Sequence, residues 1–160
     1  MTQNSIFISS VQKEFAEERR ALKEYILNDP LLKLFVSDVF LFEDLPARDQ
    51  RADEAYLGNV DRCDIYVGLL GSDYGYEDSE GFSPTEREFD RATDKGKTSL
   101  VFLSGSEGKE RHPKMGSLIQ KAGSQLIRRR FNNVTDLTAA LYTALVEHLK
   151  LSGDLRTLPF

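Results

Sequence analysis

The sequence predicts an α/β fold, an open three-layer sandwich around a five-stranded parallel sheet, and three observations carry that reading. Apolar runs of strand length alternate with helical patterns from one end of the chain to the other. Internal repeats and low-complexity tracts, which would signal a solenoid or a linker, are absent. The stretch Cys63 to Gly71 reads as a buried, largely apolar strand that ends in glycines, and a helix start follows at Ser83-Pro84. That combination is how parallel strands build a ligand crevice at their carboxyl ends.

The elements follow in order. Ile6-Phe7-Ile8-Ser9-Ser10 reads as a first buried strand, and Val11, Phe15, Leu22 and Ile26 then fall on helical spacing until Asn28-Asp29-Pro30 stops the helix. Val39 to Phe42 is the second strand, closed by Glu43-Asp44-Leu45-Pro46; Ala52, Tyr56, Leu57 and Val60 give the amphipathic helix after it. Asp64 to Gly71 is the third strand. A loop from Ser72 to Gly81 leads to a helix from about Pro84 to Lys95, which Gly96 ends. Ser99 to Leu103 is the fourth strand, and the polar, glycine-bearing segment Ser104 to Pro113 reads as a mobile loop and a lid. A weaker helix spans Lys114 to Ala122, Gln125 to Phe131 is the fifth strand, and Leu137, Leu141, Ala144, Leu145 and Leu149 form the stripe of a closing helix. Right-handed crossovers make 2-1-3-4-5 the natural strand order, a flavodoxin-like arrangement. The expected organisation is one α/β domain over residues 1–151 and a tail, or the start of a linker, over residues 152–160.

Bulk properties narrow the function classes. A chain of 160 residues that is 40% hydrophobic suits one domain with its own core. No apolar run approaches the roughly 18 residues of a membrane span. Met1-Thr2-Gln3-Asn4 runs directly into Ile6-Phe7-Ile8 without a basic segment or long apolar stretch, so the expectation is a cytoplasmic protein without a membrane partner. A single cysteine and two histidines leave no disulfide framework and no cluster of zinc spacing; neither a metal nor a cofactor is expected. A formal net charge of −5 argues against a nucleic-acid partner. The one basic run, Arg128-Arg129-Arg130, reads as charge protecting an edge strand, with a local anion contact as the alternative.

In the predicted order, strands one and three are neighbours, so Ser9 and Ser10 come near Gly71 and the helix that starts at Ser83. Ser83 as N-cap, Pro84 at the first helical position and Glu86 reaching back form a capping box. Glu88 lies further in, next to Phe89 and four residues before Ala92, near the apolar face. Two readings stand for it: a solvated carboxylate paired to Arg91 or Arg62, or a carboxylate projecting into the crevice, able to attack or stabilise a developing oxocarbenium ion at a sugar carbon. Ser9 and Ser10 read as helix caps or as ribose and phosphate contacts. Tyr74 and Tyr76 read as exposed loop residues or as stacking partners for a base. Asp64 reads as strand-start solvation or as a sugar-hydroxyl contact. Gly68, Gly71 and Gly75 follow no phosphate-loop spacing and serve the turn.

Taken together, Ile6 to Ser10 with Glu14-Phe15 and Glu18-Arg19, Phe42-Glu43, Cys63 to Gly71 with Tyr74-Gly75, and Ser83 to Phe89 with Ala92 and Gly96-Lys97 resemble a bacterial family of domains of unknown function. Such domains stand at the N-terminus of larger, often NTPase-linked proteins. The resemblance covers roughly residues 5–105. That family is similar to Toll/interleukin-1 receptor (TIR) domains and to nucleoside 2-deoxyribosyltransferases, which implies a TIR-like, flavodoxin-like sandwich. In both, a glutamate on the helix after the third strand, four residues before a small residue, acts on the N-glycosidic bond of NAD or a nucleoside. Glu88 before Ala92 occupies that place. The chain departs from the patterns in having Pro84 where many TIR enzymes have tryptophan, and Thr85 without the glycine of the transferases. The resemblance implies Glu88 as catalytic residue; the expected substrate contacts are Ser9, Ser10, Glu43, Asp64, Gly71, Tyr74, Ser83 and Thr85. NAD or a nucleoside would be substrate, with self-association as a further expectation. The alternative is a non-catalytic signalling or protein-interaction module.

Overall fold

The structure, a computed structural model, describes residues 3–156. Five strands form one parallel sheet: β1 (Asn4–Ser9), β2 (Val36–Phe40), β3 (Ile65–Leu70), β4 (Thr98–Ser104) and β5 (Arg128–Phe131), in the order β2-β1-β3-β4-β5. This is the flavodoxin-like sandwich that the alternation of elements predicts. Helices α1 (Gln12–Asn28) and α5 (Val134–Ser152) cover one face, and α2 (Ala52–Arg62), α3 (Pro84–Asp94) and α4 (Pro113–Gly123) cover the other. Side-chain alternation along β1 splits the core: Ile6 and Ile8 pack under Phe15, Leu22 and Leu141, and Phe7 packs toward Tyr66 and Phe89. β3 is buried at all six positions, as a central parallel strand must be, which is why its sequence runs apolar without alternation.

Local departures have local causes. β2 starts at Val36, before the apolar run that marks it, because an edge strand leaves Ser37 and Asp38 exposed and so hides its beginning from a hydrophobicity reading. β5 is only Arg128–Phe131, since Leu126 N–H still bonds Ala122 O at the end of α4 and Ile127 faces solvent. Short 3-10 turns, Leu32–Leu34 and Phe42–Asp44, occupy the stretches before and after β2. The segment expected as a lid is stapled down instead: Arg111 donates to Gly71 O (2.6 Å) and Ser104 O (2.8 Å), and His112 N–H donates to Ser72 O (2.9 Å). α5 ends at Ser152, with Gly153 at φ 85° as its left-handed cap. Of the expected tail, residues 157–160 lie outside the described residues. Among the described residues, no helix is long and apolar enough to cross a membrane.

Candidate functional site

The crossover after β1 runs to one face and the crossover after β3 to the other, so the sheet opens between the carboxyl ends of these adjacent strands, with Ser9 paired to Gly68. α3 supplies the acid. Ser83 is fully buried and its Oγ accepts the Glu86 N–H at 3.2 Å, while Pro84 fits the first turn. The buried stripe is Thr85, Glu88, Phe89 and Ala92, so helical periodicity turns Glu88 toward the sheet along with Phe89. Phe89 packs edge-on against Tyr66 at 6.3 Å and fixes the rotation of the helix. Burying such a ring contributes on the order of 2–3 kcal/mol, enough to carry one buried carboxyl with it.

Glu88 is only 6% exposed. Its Oε1 accepts the Ser9 hydroxyl at 2.6 Å. Burial pushes the carboxyl up to about 7; the Ser9 hydrogen bond and the charge of Arg19 offset only part of this, and Glu43 adds to it. The expected pairing with Arg91 or Arg62 does not form, because Arg91 holds Asp61. Near Glu88, the Tyr66 hydroxyl is buried and has no hydrogen-bond partner among the described residues. Burial keeps that phenol protonated, and the neighbouring Ser9 hydroxyl lowers its pKa only in part.

The crevice above Glu88 has a volume of about 240 Å³. Its floor is Ser10, Arg19, Thr85 and Glu88, and its walls include Phe42, Tyr56 and Tyr76. Arg19 reaches it from α1 and is 2% exposed. The guanidinium donates to both Glu43 oxygens (2.8 and 2.7 Å) and to Ser10 Oγ (2.9 Å). Burial is the largest influence on Glu43 and pushes it up, but the Arg19 hydrogen bonds, a backbone hydrogen bond and the Arg19 charge together hold it below its ordinary value. Sequence reasoning passed over Arg19 as a site residue, yet a signal existed: a charged residue on the stripe Phe15, Arg19, Leu22, Ile26, all four of them buried. Phe42 and Tyr56 were likewise read only for their place on strand and helix.

The other expected contacts divide. Ser9, Ser10, Thr85 and Glu88 come together, and Glu43 touches the site through Arg19 while lining an adjoining hollow. Ser10 does not cap α1, whose N-cap is Val11 without a side-chain acceptor. Ser83 stays behind the crevice as a cap. Gly71 anchors the loop: Glu14 accepts the following amides of Ser72 (2.7 Å) and Asp73 (3.1 Å), and a Cβ on Gly71 would meet Glu14 Oε1 at 2.5 Å. Tyr74 turns away, 2% exposed, donating to Glu86 Oε1 at 2.7 Å and stacking on His112; of the two loop tyrosines it is Tyr76, 86% exposed, that lies on the crevice wall. Asp64 departs furthest from its expected place. It precedes β3, so it lies at the amino edge of the sheet, where it accepts the Ser5 N–H at 2.9 Å. The capping box is half made, since the Glu86 carboxylate binds Lys121 and Tyr74 rather than the Ser83 amide. Among the described residues, no three His, Cys, Asp or Glu side chains gather as metal ligands. Cys63 is buried and its thiol is pushed up to about 11, chiefly by burial.

The family model described as "Domain of unknown function (DUF4062)" matches residues 5–146. The chain belongs to this DUF4062 family. Among solved structures, the DUF4062 chain is similar to the Clostridium botulinum CMP N-glycosidase BcmB, with a TM-score of 0.54, 14% identity, and coverage of 88% of this chain and 98% of that one. It is also similar to Era, solved with MgGDPNP and nucleotides of 16S ribosomal RNA, with a TM-score of 0.52 and 12% identity. Era's structure covers all of the DUF4062 chain, which spans 59% of Era. At these identities the likeness is one of fold. No curated protein matches the chain.

Proposed function

We propose that this DUF4062 domain cleaves the N-glycosidic bond of a nucleoside or nucleotide, with Glu88 at the glycosidic carbon. The observation that carries the reading is a carboxyl buried at the base of an aromatic-walled crevice, poised to change charge near pH 7. Ionised Glu88 attacks C1′ or stabilises the oxocarbenium ion there as the C1′–N bond breaks, and the bonding electrons leave with the base, which takes a proton from water. Water then adds to C1′ and releases Glu88, giving free base and free sugar. Ser9 orients the attacking carboxylate, and Phe42, Tyr56 and Tyr76 offer faces to the base. The motif likeness to TIR domains and deoxyribosyltransferases and the fold likeness to a CMP N-glycosidase support this reading.

The test is incubation with nucleosides, nucleotides and NAD at several protein concentrations, beside Glu88→Gln, following free base or nicotinamide. Base release that depends on Glu88 supports the reading, and its absence at every concentration sinks it. A second reading, a signalling or protein-interaction module, draws on the other end of the sheet. There Ile127 (83% exposed) and Leu151 (79% exposed) line an apolar groove between β4, β5 and α5.

A further inference from the structure

Resting on the glycosidic reading, we infer that the crevice selects an uncharged nucleoside, one base with its sugar, and discriminates against substrates that carry a phosphate. Size is the first argument. At about 240 Å³ the crevice falls below the roughly 300–1,000 Å³ of pockets that enclose drug-sized ligands. One base with one sugar can occupy it, whereas a dinucleotide has to extend beyond it into the adjoining hollows or solvent.

Charge is the second argument, and it decides. Among the described residues Arg19 is the one cation lining the crevice, and Glu43 neutralises it through two hydrogen bonds. Counting the partner Glu43 behind it, Arg19 brings no net charge to the floor, so the site is neutral when Glu88 is protonated and negative when it is ionised. A phosphate placed there meets no net positive charge and is repelled by the reactive form of the site. The helix ends around the crevice do not supply the missing charge. α1, α2 and α3 all start near it, but each carries acid in its first turn: Glu14 in α1, Asp53 and Glu54 in α2, and Glu86 in α3. Carboxylates there offset part of the positive end of the dipole, with Asp53 shared with Arg51 and Glu86 with Lys121. The rim cations are spoken for too, Arg51 by Asp53 and Arg87 by Asp78. Arg48, which has no ion pair among the described residues, lines the adjoining hollow beside Glu43 rather than the crevice.

What remains suits neutral polar groups. Ser10 and Thr85 line the cavity and carry hydroxyls, and Arg19 uses only some of its five N–H donors, leaving others for a sugar hydroxyl. A sugar's hydroxyls can both donate to carboxylates and accept from guanidinium, which a phosphate cannot do.

The experiment is calorimetric binding of C-nucleosides, whose carbon–carbon link to the base cannot be cleaved, to the wild-type domain at pH 8 and low salt. Pseudouridine and formycin A serve as pyrimidine and purine probes, each beside its 5′-monophosphate. At least one nucleoside is expected to bind, its monophosphate on the order of tenfold more weakly or worse, and Arg48→Ala is expected to leave the nucleoside affinity within about twofold. Equal or tighter binding of the monophosphate overturns the inference, as does failure of both nucleosides to bind. Turnover separates this from the parent reading. Glu88-dependent base release with a preference for nucleotides leaves glycosidic cleavage standing and removes the inference, and nucleoside binding without base release does the reverse.

Discussion

At the amino edge of the sheet, Asp61 accepts two hydrogen bonds from Arg91, at 2.7 and 2.8 Å, and this pairing holds its carboxyl below the ordinary value. At the carboxyl edge, Glu88, on the same helix as Arg91 and about one turn before it, has a hydroxyl as its hydrogen-bond partner and is pushed up to about 7 by burial. The helix thus presents a cation to one edge and an acid to the other. Asp61 is 30% exposed on its side chain and its partner 40%, so water does much of the work and the pair contributes little to stability. Glu88 is largely withdrawn from water and has no direct ion pair among the described residues, an arrangement that costs stability once the group is ionised. The carboxylate at the amino edge is paired and held in its charged form; Glu88 at the carboxyl edge is buried beside a hydroxyl and holds its proton up to about pH 7.

Breaking that contrast at its strongest point gives the largest expected effect. Glu88→Gln is expected to lower base release by roughly 10²- to 10⁴-fold while leaving the domain folded. Because folding raises this carboxyl from 4.5 to about 7, the native state holds the proton more tightly over that interval. Stability is therefore full below the lower value, falls as pH rises, and is flat above about 7, a loss of about 3 kcal/mol in all. Glu88→Gln should erase that slope, matching wild type at pH 4 and exceeding it at pH 8 in urea titrations. A wild-type curve without decline between pH 4 and pH 7 would mean that Glu88 is not buried as described.

Ser9→Ala sharpens the contrast by removing the one hydrogen bond to Glu88. With the bond that favours the charged form gone, the midpoint of the pH–activity profile is expected to rise by up to about one unit, equivalent to about 1.4 kcal/mol. A fall would show that the serine does not stabilise the charged form. Tyr66→Phe removes the orphan hydroxyl near Glu88 and is expected to be neutral or to stabilise by about 1 kcal/mol, read from thermal or urea unfolding. Destabilisation by more than that would reveal a partner for the phenol. The smallest change is expected at the amino edge. Asp61→Asn should cost less than about 1 kcal/mol at pH 7 and nothing once the pH falls below the depressed pKa of Asp61, because the stabilisation exists only while this carboxyl is ionised.

Some of this contrast is written in the chain and some is not. Glu88 sits on a four-residue stripe with Thr85, Phe89 and Ala92, so its inward direction follows from helical spacing once the helix is recognised. The same logic applied to Phe15, Arg19, Leu22 and Ile26 marks Arg19 as an inward-facing charge. Asp64, read as a candidate sugar contact, shows the limit of proximity in sequence: it adjoins the strand that builds the crevice but at the wrong end, and a six-residue strand separates the two edges. Tyr74 and Tyr76 show the limit for a loop, where no period says which of two tyrosines turns inward.

By itself the sequence determined the α/β class, the strand order and the helix that carries the acid, because these rest on local periodicity, on caps and on the handedness of crossovers. The tertiary structure alone decided that Ser9 meets Glu88 across 79 positions, that Glu43 neutralises Arg19 across 24, and that Phe42, Tyr56 and Tyr76 share one wall. Periodicity tells each side chain which way to face along its own element. Which side chain it meets there depends on how separate elements are brought together over the sheet, and no local pattern encodes that.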